Sequence, residues 1–411
     1  MKVIHLSSFD IVGGAARAAY RIHQSLKNAG VDSQMLVQYK KGSDSAVSSV
    51  EGKVKSRLKS SLDALPLMIY SDRKNWFSLQ WFPDSIAKKV DQINPDIINL
   101  NWICNGYLSV ETLAKFNKPL VWTLQDLWAF TGGCHYSYGC DRYLQSCGNC
   151  PQLKSDKTTD LSTWNWQRKA SAWKNLNLTI IAPSSWMARC ATSSSLFKEM
   201  RVEVIPFGLD TTIFKPIEQR LAREQFNLPQ DKQLVLFGAI NATGDVRKGF
   251  HLLQTALKSL SQTEWQNQIE LVIFGSDRPE NPIDLGFPSH YLGFIQDDLL
   301  LRLVYSAADV MIAPSTEEAF GQTASESIAC GTPVVVFAQT GLADIIDHQQ
   351  NGYIANYGDT DDLAKGITWI LEDKEHYQQL RHSAREKSER EFKLQLQANR
   401  YMSLFKEILA S

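Results

Sequence analysis

Short apolar runs alternate with helix-spaced stripes twice along this chain, and the second series starts afresh after a polar, proline-bearing break. Val3–Leu6, Gln34–Val37, Ile97–Leu100, Leu120–Leu124, Ile180–Ala182 and Val204–Pro206 read as strands of the first series. Leu234–Phe237, Leu271–Phe274, Val310–Ile312 and Val334–Phe337 read as strands of the second. A strand that is apolar at nearly every position must be covered on both faces, and strands separated by helical patterns pair in parallel. The pattern predicts an α/β chain of two doubly wound, Rossmann-like sheets, each with its ligand crevice at the carboxyl ends of the strands. Gly208–Pro216 falls between the series and is the expected linker. Beyond Asp359 the chain reads as helical, over Asp361–Glu372, near Glu375–Ser388, and over Phe392–Leu409.

Composition narrows the class. At 411 residues, 44% hydrophobic and 21% charged, the chain suits about two globular domains. A net charge of −1 argues against a general nucleic-acid binder, which needs a basic footprint. No apolar run approaches the ~20 residues of a membrane span. Met1–Ser8 has too short an apolar stretch for a signal peptide and reads as a first buried strand. Seven cysteines without a secretion signal point to the reducing cytoplasm.

The most specific local pattern is Glu318-Ala-Phe-Gly-Gln-Thr-Ala-Ser-Glu326, running on through Gly331-Thr-Pro333 into the last strand of the second series. On one continuous helix, eight residues would rise about 12 Å and put the two carboxylates on different faces. A loop at Phe320-Gly321, with a helix starting near Gln322 or Thr323, instead folds Glu318 back over a helix N-terminus. Backbone N–H groups there suit a phosphate or a sugar oxygen, whereas carboxylates repel phosphate and pair with hydroxyls. A ligand carrying both is a sugar nucleotide. The plain alternative is that both residues are solvated surface acids.

This run resembles the donor-site motif of glycosyltransferase family 4, retaining enzymes with the two-domain GT-B fold. The linker, Pro206-x-Gly208-x-Asp210-x-x-x-Phe214, is similar to the family's hinge run. The resemblance implies two Rossmann-like domains facing a central cleft. Residues 1–208 would bind the acceptor and residues 209–391 the donor, with the last helix, 392–411, packing back onto the first domain. It further implies that Glu318 touches the donor sugar hydroxyls and Glu326 the ribose. Phe320, Gly321, Gln322, Thr323, Asn241, Gly275 and Phe294 would complete the donor pocket.

Gly13-Gly14 follows the first strand and precedes the stripe Ala15, Ala16, Ala19, Ile22, Leu26. Glycines there let the backbone approach a ligand, and the helix N-terminus behind them favours phosphate. In family 4 a similar loop packs against the donor diphosphate. Arg247-Lys248 precedes the helix near Phe250, and two adjacent cations can neutralise a departing nucleoside diphosphate. The chain departs from the family in two places. The Arg that often follows the glycine of the preceding strand is absent after Gly238, a charge that Arg247 can supply. Gln125 stands before Asp126 where many relatives carry His. Gln bonds a sugar hydroxyl but cannot titrate, so a front-face reaction, in which the departing phosphate oxygen takes the acceptor proton, is the one it tolerates. Asp126 and His135 are candidates for shaping the acceptor pocket.

Cys134, Cys140, Cys147 and Cys150 fall in one loop, and Cys147-x-x-Cys150 has zinc-knuckle spacing. A structural zinc, buried thiols and facultative disulfides are all open; each would make the cluster a staple. The flanking runs resemble a subset of family 4 associated with exopolysaccharide assembly, and look nearest to the cyanobacterial enzymes of the heterocyst-envelope polysaccharide. Lys53–Ile69 joins basic and apolar residues, which suits either an anionic membrane surface or an ordinary helix with a solvated face. Asp359-Thr-Asp361 spells a metal motif of other glycosyltransferases but sits where a helix begins, so it reads as an N-cap and no catalytic metal is assigned. The expectation is a retaining transferase moving a hexose, glucose by preference, from a UDP-sugar to a growing, lipid-linked glycan on the inner face of the plasma membrane. A sugar-nucleotide epimerase and a non-catalytic sugar-nucleotide-binding protein are the alternatives.

Overall fold

The computed structural model describes residues 1–70, 73, 75–238 and 244–411, and the chain divides into two compact units. One comprises Met1–Phe207 with Gln395–Ser411, the other Gly208–Leu394. The first holds strands β1 (Lys2–Phe9), β2 (Asp32–Tyr39), β3 (Val47–Ser49), β4 (Ile97–Leu100), β5 (Leu120–Thr123), β6 (Leu178–Ala182) and β7 (Arg201–Val204). All pair in parallel, in the order β3-β2-β1-β4-β5-β6-β7. The second unit repeats the plan with β8 (Gln233–Gly238), β9 (Ile269–Phe274), β10 (Ser289–Tyr291), β11 (Val310–Ala313), β12 (Val334–Phe337) and β13 (Gly352–Ala355), again all parallel, in the order β10-β9-β8-β11-β12-β13. Reversal of order beside the first strand of each unit is the doubly wound topology, whose switch point is where ligands bind.

The helices of the first unit are α1 (Gly14–Asn28), α2 (Lys53–Ala64), α3 (Ile86–Ile93), α4 (Leu161–Trp173) and α5 (Ser185–Ser193). Those of the second are α6 (Gln219–Gln225), α7 (Phe250–Leu260), α8 (Asp298–Ala307), α9 (Gln322–Ala329), α10 (Thr360–Leu371) and α11 (Lys374–Glu391), and α12 (Leu394–Ala410) then joins the first unit. Local chemistry sets their ends. Asp160 and Asp297 cap α4 and α8 by accepting two backbone N–H bonds each, and Asn94, left-handed at φ 47° and followed by Pro95, stops α3. Tyr401 of α12 hydrogen-bonds Thr123 of β5 at 3.0 Å, and Arg201 of β7 forks onto Glu407, so the last helix is tied to the first sheet.

Every side chain of β12 is fully buried, as a strand covered on both faces requires, and each such apolar side chain contributes roughly 1.5–3 kcal/mol. One strand differs from its expected place. β7 spans Arg201–Val204 rather than Val204–Pro206, because Pro206 has no N–H to give and the ladder ends with Ile205 N–H donating to Ala182.

Candidate functional site

In the second unit, two loops at the carboxyl ends of β8 and β11 build a charged cluster. Asp245 caps a 3₁₀ turn over Val246–Lys248, accepting the Arg247 N–H at 3.0 Å. Gly249 then adopts φ 73°, and a Cβ on it would meet the Pro314 carbonyl oxygen at 1.8 Å, so only glycine lets the turn sit this close. Thr316 N–H donates to the Arg247 carbonyl at 2.9 Å and locks the two loops together. The Arg247 guanidinium donates to the Glu317 carbonyl at 2.8 Å and to the Asp245 carboxylate at 2.9 Å. Lys248 Nζ donates to Glu318 Oε2 at 2.5 Å, and Arg247 lies 3.4 Å from the same oxygen. Burial opposes ionisation of Glu318, but Lys248 and then Arg247 outweigh it and hold the carboxyl below its usual range. The carboxylate is therefore charged at neutral pH, and acts only as an acceptor.

Gly321, at φ 105°, is the N-cap of α9, and a Cβ on it would strike Leu342 at 2.2 Å. The turn places Gln322 and Thr323 at the amino end of α9, where the positive pole of the helix dipole lies. Glu326, 4% exposed, accepts the Tyr305 hydroxyl at 2.9 Å, so it faces α8 from the middle of the helix. Phe320 is buried and packs edge-on against Phe392 at 5.7 Å, beneath the turn rather than on an open surface. Gly275 follows β9 and gives its N–H to the Gly293 carbonyl, and Phe294 is 58% exposed just beyond. Asn241 lies outside the described residues.

In the first unit, Asp10 clamps the loop after β1 by accepting the N–H groups of Ile11, Lys41 and Gly42 at 2.7–2.9 Å, and Gly13 caps α1 at φ 88°. At the end of β5, Gln125 reaches Asn101 at 3.5 Å. Asp126 is held more firmly. Its Oδ2 accepts the Trp102 indole N–H at 2.8 Å and lies 2.6 Å from His135 Nδ1, while Oδ1 accepts the Trp128 N–H at 2.9 Å. His135 Nε2 is 2.9 Å from Ser78 Oγ. Ser78 and Trp102 were not expected at this site; only the Asp126 and His135 ends of the chain of bonds stand near a recognisable motif.

The loop that follows holds the cysteines. Cys134, Cys140, Cys147 and Cys150 line one pocket with Phe77, and all are free thiols. Burial pushes Cys147 up to about 12 and Cys134 higher still, so the thiols stay protonated. Among the described residues no group of three or more His, Cys, Asp or Glu is arranged to hold a metal ion, so the zinc alternative finds no ligand set. Beneath the loop, Lys169 is fully buried; it donates to the carbonyls of Trp128 and Thr131 and lies 3.6 Å from the centre of the Trp128 ring. Burial lowers its pKa to about 7. Asp359 caps α10 by accepting the N–H groups of Asp361 and Asp362 at 3.0 Å each. Among the described residues no helix is long and apolar enough to cross a membrane. α2 and the following turn do expose Val54, Leu58, Leu65, Met68 and Ile69.

Residues 12–213 match the model of glycosyltransferase family 4, and residues 218–387 match the model of group 1 glycosyl transferases. A D-inositol 3-phosphate glycosyltransferase of Xylanimonas cellulosilytica is 32% identical over 207 residues, covering 46% of this chain and 48% of that protein. The chain spans about half the length of the curated relatives it matches. Among solved structures, the sucrose-phosphate synthase of Thermosynechococcus elongatus superposes with a TM-score of 0.72 at 20% identity, over 100% of both chains. The HepE protein of Anabaena, solved with UDP and glucose, gives a TM-score of 0.65 at 17% identity over 99% of this chain and 100% of its own. At such identities the likeness is one of fold, and that fold is GT-B.

Proposed function

We propose that this chain, an enzyme of the glycosyltransferase family 4 type, transfers glucose from UDP-glucose, with retention, to a growing cell-surface polysaccharide. The reading rests on one observation above all. Glu318 is an ionised carboxylate paired with Lys248 and Arg247 where the chain turns into α9. Such a cluster offers an acceptor for sugar hydroxyls beside donors for phosphate oxygens. In the reaction, the bond from anomeric carbon to phosphate oxygen breaks as the acceptor oxygen bonds the same face. The acceptor proton passes to the departing phosphate, so no protein base is needed and Gln125 is tolerated.

Arg247 is fixed by two partners and needs no reorganisation as charge develops on the leaving group, whereas Lys248 must leave Glu318 to meet the diphosphate. By the family resemblance, Gly13 and Gly14, at the start of α1, are assigned to phosphate. Glu326 is assigned to the ribose, and Gly275 and Phe294 to the rim of the same pocket. Resemblance of the cysteine loop to the exopolysaccharide subset supports a glycan acceptor. The exposed apolar residues of 53–69, with Lys53, Lys55 and Arg57 beside them, support contact with an anionic membrane carrying a lipid-linked acceptor on its cytoplasmic face.

A panel of UDP-, GDP- and ADP-sugars tests the donor. UDP-glucose should raise the melting temperature most, and incubation with it should release UDP slowly even without acceptor. A shift with GDP- or ADP-sugars alone would replace the donor assignment. A change in sugar configuration without UDP release would make the protein an epimerase.

A further inference from the structure

An aromatic array runs across the carboxyl ends of β2, β1 and β4. Tyr39 stacks on Phe9 at 5.2 Å, Phe9 on Trp102 at 6.1 Å, and Trp102 lies 6.3 Å from Trp76. His135 closes the array, 5.5 Å from Trp102 and 6.4 Å from Trp76. Trp76 is 75% exposed. An indole this bare costs hydration free energy unless something covers it.

Beside the rings runs a line of polar groups. With the Nδ1 proton of His135 directed at the Asp126 carboxylate, Nε2 is left to accept from the Ser78 hydroxyl. Trp102 gives its indole N–H to the same carboxylate oxygen, so the relay fixes the ring that forms the floor of the array. Ser78 Oγ, its own proton spent on the imidazole, shares its lone pairs between the buried Cys104 thiol beside it and an incoming hydroxyl. The backbone holds Ser78 in place, its N–H on the Gly133 carbonyl at 2.9 Å and its carbonyl accepting the Trp128 indole at 2.8 Å.

A pyranose has the matching chemistry, with one face of C–H groups and an equatorial rim of hydroxyls. We propose that Trp76, Trp102 and the Ser78–His135–Asp126 relay form a saccharide subsite, in which an acceptor pyranose stacks on the exposed Trp76 indole, meets Trp102, tilted 42° to it, at its side, and donates a hydroxyl to Ser78. The inference rests on the transferase reading and names the chemical class of its acceptor as a pyranoside presented ring-face down. A lipid chain or a peptide would not use the oriented Ser78 oxygen, and a phosphate would meet Asp126 as a like charge.

Octyl β-glucopyranoside and methyl α- and β-glucopyranosides serve as probes with the full chain. Saturation-transfer NMR should light the ring C–H protons of one pyranose face, and titration should quench tryptophan fluorescence in the millimolar range. Trp76→Ala should weaken binding about tenfold, Ser78→Ala less, with Trp76→Phe recovering part of the loss. Melting temperatures of the variants check that each folds. Parent protein that binds none of the pyranosides, or Trp76→Ala and Ser78→Ala variants that bind as well as the parent, would overturn the subsite. The UDP-glucose melting shift of the parent reads the donor assignment separately. Its loss with pyranoside binding intact would sink the transferase reading and leave the subsite standing.

Discussion

The two units share a strand order but build their candidate sites from opposite materials. At the β8 and β11 ends of the second unit, cations and carboxylates meet from one short turn and the loop beside it: Asp245, Arg247, Lys248 and Glu318. At the β4 and β5 ends of the first, the parts are indoles, an imidazole, a hydroxyl and a single carboxylate, gathered from positions 76 to 135. On the proposed function, the difference follows from what each would hold. A diphosphate needs fixed positive charge whichever sugar it carries, while a glycan is recognised by shape, C–H faces and a few directed hydroxyls. One fold can be doubled, and each copy given its own chemistry through its loops.

The sharpest way to break the comparison is to remove charge from the second unit. Lys248→Ala should lower turnover about 100-fold or more, since it deletes a donor at the leaving group. Glu318→Gln should lose turnover to a similar extent while binding UDP a few-fold more tightly, because Lys248 no longer has a competing carboxylate 2.5 Å away. Turnover within about twofold of the parent for both variants, in proteins of unchanged melting temperature, would defeat the site.

Acid should separate the units by stability. His23 and His5 of the first unit are buried against the shared Ser33 hydroxyl. Burial lowers His23 to about 4 despite Asp44 at 3.5 Å, with Lys27 adding to the lowering, and burial then His23 lower His5. An unfolded histidine binds its proton near 6.5, so between 6.5 and about 4 the unfolded chain holds more protons and stability is lost as the pH drops. His23 alone is worth at most about 3 kcal/mol, fully present above 6.5 and gone below about 4. In the second unit Glu318 is held below 4.5, so its contribution is present above 4.5 and is lost only at lower pH. Hydrogen exchange during acidification should show β1, β2 and β4 losing protection before β8, β9 and β11. Simultaneous loss, or the reverse order, would remove the contrast.

What could be read from the chain divides along the same line. The long apolar strands and the Glu318–Glu326 turn announce themselves because their residues are close in sequence and their spacing matches a strand or a helix. Short outer strands do not: β3 and β10 have three residues each, and β10 is only half-buried, so hydrophobic periodicity has nothing to count. The relay was half legible, since Asp126 and His135 are nine residues apart, but Ser78 lies 57 residues before His135 and no local pattern links them. Trp76 and Trp102 carried no signal beyond their type. The buried Phe320 and the inward-facing Glu326 sit in a motif whose spacing identifies the turn but not which side chains point away from solvent.

Glu326 offers a smaller, sharpening test. A ribose contact acts in ground and transition states alike, so Glu326→Gln should raise the donor KM about tenfold and change kcat little. Gln still accepts from Tyr305, whereas Glu326→Ala leaves that buried hydroxyl without this acceptor and should also cost about 1–3 kcal/mol of stability. A collapse of kcat at unchanged KM would move Glu326 from the ribose to the reacting sugar.

The smallest effect expected is none at all. If Arg247, Lys248 and the amino end of α9 supply the positive field of the second unit's chemistry, the diphosphate needs no bridging cation. EDTA should then leave initial rates unchanged, and metal analysis of protein purified without chelator should find well under one equivalent of zinc, since burial raises the Cys134 and Cys147 thiols and so disfavours the thiolate form a zinc site needs. A rate that falls on chelation and returns with Mg²⁺ or Mn²⁺ would show that fixed side-chain charge is not enough, and would reopen Asp359 and Asp361 as ligands despite the two N–H bonds Asp359 accepts as a cap. A melting temperature that falls with chelator while the rate per folded molecule holds would instead place a structural metal in the cysteine loop, and would make the first unit, whose site carries a single carboxylate, the one that depends on a cation.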